Sequence, residues 1–197
     1  MLGVQVEALE GRAAAGGTPF VTVSGGREER LAQAVEAIEP LLGRPLRVKW
    51  PNDVYADDRK LAGVLIDAGL SGADTFLIGV GVNVNRTRFP RELEAIATSL
   101  ALLGGREHDR HGLLYALARR IDAMASLLQG GGDDTLARAA ARYADRLGLL
   151  GAEIELDAGE RCHGVLQSFD FAKLTLTDGR TFPLGQVRAL RRRRGCR

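Results

Sequence analysis

Lys49-Trp50-Pro51-Asn52-Asp53 and, further along, Gly79-Val80-Gly81-Val82-Asn83-Val84-Asn85 are the two stretches from which the fold of this chain is read. The first follows Leu46-Arg47-Val48, an alternating run that predicts a short strand. Pro51 has no N–H to give to a ladder, so the strand is expected to stop there and break into a loop. Such loops on a rigid scaffold commonly carry binding groups, and a lysine at that edge can present its ammonium to a carboxylate or phosphate. Pro51 restricts the backbone beyond it, and the side chains of Asn52 and Asp53 can tie the loop to its own backbone. Taken by itself, the stretch also fits a surface lysine on a strand end before a proline turn.

The second stretch lies in the later of two predicted strands, Ala62 to Asp67 and Thr75 to Asn85. Both are nearly continuously apolar, the pattern of a sheet covered by helices. Gly79 and Gly81 leave one face of their strand bare, so that a flat ligand or another backbone can come close. Asn83 projects from the same face two residues on, with both a donor and an acceptor. Alone, a Gly-x-Gly-x-Asn strand is also an ordinary packing or bulge feature.

Working outward, Leu31, Val35, Ile38 and Leu42 recur at helical spacing, and Pro40 predicts an end or kink near that point. Leu113, Leu117, Ile121, Met124 and Leu128 predict a second helix, and Leu136, Ala140, Tyr143 and Leu147 a third. From Gly151 the texture changes to short strands at Ile154-Glu155-Leu156, Gly164-Val165-Leu166 and Leu174-Thr175-Leu176, with a tight turn expected at Asp178-Gly179. A boundary is placed near Leu149, dividing residues 1–149 from a small β-barrel over residues 150–197.

Composition narrows the classes of function. The chain has 197 residues, 45% of them hydrophobic and few aromatic, so its interior is built mainly from aliphatic side chains. A formal charge of +2 is too small to make the whole protein a binder of polyanions. No apolar run reaches the roughly 20 residues of a membrane helix. The N-terminus lacks the layout of a secretory signal. Cys162 and Cys196 form no metal or redox pattern, and His108, His111 and His163 show no ligand spacing. A cytoplasmic protein without a structural metal is expected. No Gly-x-x-x-x-Gly-Lys-Ser/Thr loop is present. Arg188 and Arg191 to Arg194 make a basic tail that could meet nucleic acid or an acidic partner surface; a solvated, disordered end is the expectation. Trp50, the sole tryptophan, is expected to anchor packing.

The order Lys49-Trp50-Pro51-Asn52-Asp53, then Arg59-Lys60-Leu61-Ala62-Gly63-Val64-Leu65, then Gly79 to Asn85, resembles the biotin–protein ligase family. The resemblance continues through Ala97-Thr98-Ser99-Leu100, the Leu113-to-Leu128 helix and the β segment with Gly164, and so covers most of residues 28–197. It implies an α/β (α+β) fold: a mixed sheet with packed helices, related to class II aminoacyl-tRNA synthetases, followed by an SH3-like β-barrel. It implies a cytoplasmic ligase that joins biotin and Mg-ATP into biotinyl-5′-AMP. The biotinyl group then passes to a lysine of a biotin carboxyl carrier protein.

By the same resemblance Lys49 is the catalytic residue and touches both biotin and the α-phosphate. Preplaced positive charge would there stabilise what develops on attack. Leu61, Ala62, Gly63, Gly79 and Gly81 would line the biotin pocket, and Asn83 would join Lys49 at ATP. No metal-binding side chains are implied. The family's upstream Gly-Arg-Gly-Arg-x-Gly-Arg loop has no match in residues 1–48, nor does a helix-turn-helix fit before Arg27. The expectation is a catalytic domain without its N-terminal part. The alternative is a non-catalytic module that binds a small molecule or protein.

Overall fold

The computed structural model describes residues 3–6, 35, 38–40, 42–68, 76–130 and 133–193. Strands β1 (Gly3–Val6), β2 (Arg47–Lys49), β3 (Asp53–Ala56), β4 (Arg59–Ala68) and β5 (Phe76–Val82) form one antiparallel sheet in the order β1-β5-β4-β3-β2. The loop expected after Pro51 is a tight hairpin instead. Lys49 pairs with Asp53, so only Trp50, Pro51 and Asn52 make the turn. Val54 and Ala56 alternate on the same buried face as Val48, and their burial draws the chain straight back into the sheet.

Period-two patterning sorts the two faces of this sheet. Val48, Val54, Ala62, Val64, Val80 and Val82 are buried on one side, in a core shared with Leu113, Leu117, Tyr143, Ala144 and Leu147. Those last five come from two long helices: α3 (Arg110–Gly130) and α4 (Asp133–Leu147), which follow the short α1 (Arg91–Glu94) and α2 (Leu100–Gly104). Of the two expected helix stripes, Leu113, Leu117, Ala140, Tyr143 and Leu147 are buried, whereas the side chains of Ile121, Met124, Leu128 and Leu136 lie outside the described residues. Ser99 caps α2, its hydroxyl accepting from the Leu102 N–H at 3.1 Å. Val35 and Ile38 are helical and fully buried, whereas Leu31 lies outside the described residues. Glu39 accepts from Leu46 N–H at 2.6 Å and pairs with Arg146 at 2.7 Å, which ties α4 to the start of β2.

The C-terminal segment corrects the expected SH3-like barrel. Strands β6 (Glu153–Asp157), β7 (Arg161–Phe169), β8 (Lys173–Leu176), β9 (Thr181–Pro183) and β10 (Ala189–Arg192) form an open sheet in the order β10-β6-β7-β8-β9. A closed barrel needs the two outer strands to pair with each other. Here β9 has three residues and passes into a 3₁₀ turn at Leu184–Gln186, and no ladder joins it to β10 among the described residues. Asp178-Gly179 does turn between β8 and β9, with Gly179 at φ 88°. Gly164 of β7 is closely approached: a Cβ there would stand 2.8 Å from Leu176 Cδ1, so that the leucine would have to shift.

Of the arginine tail, expected to be a solvated end, Arg191 and Arg192 lie in β10, whereas Arg194 lies outside the described residues. Leu190 buries, and β10 adds to β6 so that Arg191 pairs with Glu155 at 2.8 Å and Arg193 with Glu153. The Arg191 guanidinium holds the Glu155 carboxyl below its usual range, and Arg180 does the same to Asp178. These pairs are exposed and contribute little to stability. The position of the tail is set by the ladder and by Leu190.

Candidate ligand site

One cross-strand row organises the open face of the first sheet. The register pairs Gly3 with Gly81, Gly81 with Gly63, Gly63 with Asp53 and Asp53 with Lys49. Residues opposite one another in antiparallel strands point to the same side. The row therefore runs from bare glycine backbone to a carboxylate and then to the Lys49 ammonium on the edge strand. A bulge between β3 and β4, after Val54, brings Lys60 over the same face. There its ammonium meets Asp53 Oδ1 at 2.6 Å, against the spot where a Gly63 side chain would stand.

Above this floor is a cavity of 350 Å³ bounded by Tyr55, Lys60, Leu61, Ala62, Gly63, Gly81, Val82, Asn83, Arg86, Phe89, Leu93, Ile96 and Ala97. Five residues expected from the sequence meet here: Leu61, Ala62, Gly63, Gly81 and Asn83. Lys49 stands one side chain away, its Nζ donating to the Tyr55 hydroxyl at 3.2 Å and lying 5.0 Å from the ring centroid. Gly79 falls outside the cavity lining, one pleat further along β5 and opposite Leu65.

The far wall is held by backbone bonds. Asn83 N–H donates to Leu61 O at 3.0 Å and Leu100 N–H donates to Asn83 O at 2.9 Å, which fixes the main chain and sets the amide at the wall. Asn85 has a different task, its side chain clamping the His108 N–H and C=O at 2.9 Å each. Arg86 is steadied by donation from Nε to Arg88 O at 3.1 Å, and its guanidinium lies 5.2 Å from the Phe89 ring centroid. Tyr55, Arg86, Phe89, Leu93 and Ile96 escaped the reading of the sequence, and Ala97 entered it only as part of the resemblance. Only Tyr55 carried a signal, standing two residues past Asp53 on the same strand. Residues 83–90 are irregular and have no period to read.

A second cavity, of 510 Å³, shares Val82, Asn83 and Arg86 but is otherwise lined by Val84, Asn85, Arg110, His111, Leu113, Leu114 and Leu117. It lacks the glycine floor and is remote from Lys49 in the register. The smaller cavity is the candidate site. It combines an apolar shelf, a two-way amide, and the cations Lys60, Arg86 and neighbouring Lys49. Its one nearby carboxylate, Asp53, is already paired. Such a lining suits a flat ring with polar edges joined to an anionic group. No group of three or more His, Cys, Asp or Glu suited to a metal ion occurs among the described residues, and no described helix is long and apolar enough to cross a membrane.

A site of this kind on a helix-backed antiparallel sheet defines the class, and residues 29–85 match the Biotin/lipoate A/B protein ligase family. By sequence and by structure the chain is a relative of the biotin–protein ligases in that family. It is 31% identical over 141 residues to the biotin–[acetyl-CoA-carboxylase] ligase of Mycobacterium tuberculosis, covering 69% of this chain and 50% of that protein. It is 38% identical over 84 residues to the bifunctional ligase/repressor BirA of Bacillus subtilis, covering 41% of this chain and 26% of that protein. The chain thus spans half or less of these curated relatives. The biotin protein ligase of Aquifex aeolicus, solved in complex with biotin and ATP, superposes with a TM-score of 0.69 at 26% identity, over 85% of this chain and 72% of that one.

Proposed function

We propose that this chain acts as a biotin–[biotin carboxyl carrier protein] ligase, with Lys49 at the reacting centre. The observation that carries the reading is the cross-strand row that leads a bare glycine floor to the Lys49 ammonium. Biotin would lie along Leu61, Ala62, Gly63 and Gly81, with Gly79 extending the strand, and its carboxylate would point toward Lys49. The adenine of ATP would rest on the Phe89, Leu93 and Ala97 side, with Asn83 reading its edge and Arg86 near the phosphates. Mg²⁺ would arrive with the nucleotide as part of the substrate.

The biotin carboxylate attacks the α-phosphorus, a new P–O bond forms, and pyrophosphate leaves. Negative charge on the α-phosphoryl oxygens grows during that step, and an ammonium already in place stabilises it without reorganisation. Tyr55 supports this role by holding Lys49 Nζ at the cavity edge. The amine of a carrier lysine then attacks the biotinyl carbonyl and AMP leaves. Lys60, paired with Asp53, is suited to hold the floor rather than to act on phosphate.

Purified chain incubated with biotin, Mg-ATP and an apo carrier domain should give a carrier that an avidin blot detects. A folded sample that binds biotin but labels nothing would reject the ligase reading in favour of a binding module. A second prediction concerns the floor. A Cβ at Gly81 meets nothing closer than Gly63 O at 3.9 Å, so Gly81→Ala fits the fold and narrows the cavity instead. Biotin affinity, measured by calorimetry, should fall about tenfold to a hundredfold, the usual cost of forcing an extra methyl group into fitted space. Unchanged affinity would remove the glycine floor from the site.

A further inference from the structure

We infer that Phe169, on the C-terminal sheet, is a positioning residue for Lys49, acting through Trp50. This inference rests on the reading of Lys49 given above. Lys49 is an exposed residue between two buried neighbours, Val48 and Trp50. Lys49 is the last residue of β2, so the buried Val48 before it and the buried Trp50 that opens the turn after it together fix the backbone from which it projects. Val48 lies in the core that the first sheet shares with α3 and α4. Trp50 is held from elsewhere: the Phe169 ring meets it edge-on at 6.4 Å between centroids.

Phe169 is itself stacked on Tyr143 of α4 at 5.4 Å, and Tyr143 is fully buried. The Trp50 indole N–H has no acceptor among the described residues, so its orientation depends on ring contacts and not on a polar tether. Arrangements of this edge-to-face kind have a preferred geometry as well as an energy. Thus β7 supplies a fixed wall against the turn that follows Lys49. Phe169→Leu keeps the site apolar but gives the indole room to turn, which would let Lys49 wander from the reacting phosphorus.

Trp50 is the only tryptophan, so its fluorescence reports this one contact directly. Phe169→Leu should lower kcat for biotin-dependent pyrophosphate exchange about tenfold or more, since small misplacements of a reacting group cost on that order. KM for biotin should change little, and Trp50 emission should shift to the red with lower anisotropy. Phe169→Tyr, which retains the ring, should restore kcat and emission together. Phe171→Leu is the control for loosening alone, because Phe171 contacts Tyr143 and Phe169 but makes no ring contact with Trp50.

That control should lower stability and leave kcat and emission as they are. Wild-type emission in Phe169→Leu overturns the proposal, and so does an equal loss of kcat in Phe171→Leu. The emission is also read without ligand, so a sample devoid of exchange still decides the ring contact. Loss of exchange in Lys49→Ala with full kcat in Phe169→Leu overturns the positioning role alone. Full exchange in Lys49→Ala overturns the reading of the site beneath it.

Discussion

Lys49→Ala is expected to lower biotin-dependent pyrophosphate exchange by about a hundredfold to a thousandfold, the range found when one preorganised charge-stabilising donor is removed from a reacting centre. The loss should fall on kcat. Charge on the α-phosphoryl oxygens is greater in the transition state than in bound ATP, so the ammonium is worth more there. Stability should hardly change, because Lys49 is exposed and its partners are a hydroxyl and a ring face at the sheet edge. Thermal melts beside the exchange assay separate the two effects. Lys49→Arg is not a conservative rescue, since a planar fork replaces a point charge on a shorter reach. Wild-type exchange in the alanine variant would show that another cation, Arg86 or Lys60, performs the task.

The second large effect is on folding. Tyr143→Ala should cost about 3–5 kcal/mol, the range for emptying an aromatic site in a packed interior. Tyr143 is fully buried, stacks on Phe169 at 5.4 Å and meets Phe171 edge-on at 6.0 Å. It thus joins α4 to the C-terminal sheet within one core, and its removal leaves a gap that neither side can close alone. Against a typical total of about 5–15 kcal/mol, such a loss takes a large part of the stability. Urea unfolding measures it directly. Tyr115→Ala provides the comparison: Tyr115 is 64% exposed, and its removal should stay within about 0.5 kcal/mol. A cost for Tyr143→Ala no greater than that would show that the two sheets do not share a core.

Much of the secondary structure and half of the site were legible because they are local. Strand alternation at Arg47–Lys49, the bare face of β5, the stripes of α3 and α4 and the Asp178-Gly179 turn all follow from spacing within a few residues. Leu61, Ala62, Gly63, Gly81 and Asn83 came instead from the resemblance carried by the motifs that hold them; the first four lie on strands and Asn83 just past the end of β5. The motifs around them also carried the resemblance to the biotin–protein ligases.

What the sequence alone determined, then, was the strands β2 and β4 to β8 and the two long helices, which strand face is empty, and where a lysine stands beside it. Tertiary structure decided the rest. It turned the Lys49-to-Asp53 stretch into a hairpin, brought Lys60 onto Asp53 through a bulge, and left Gly79 outside the cavity that Gly81 floors. It raised the wall of Arg86, Phe89 and Ala97 from an irregular segment, and drew Arg191 and Arg192 into β10. The C-terminal strands form an open sheet because β9 and β10 sit at opposite ends of the strand order. The physical reason is common to all of these. Side-chain periodicity is set by the backbone of one element, whereas register, bulges and contacts such as Trp50 with Phe169 are set by packing between elements far apart in the chain. Lys49 could be proposed from the sequence; the Trp50–Phe169 contact beside it could not.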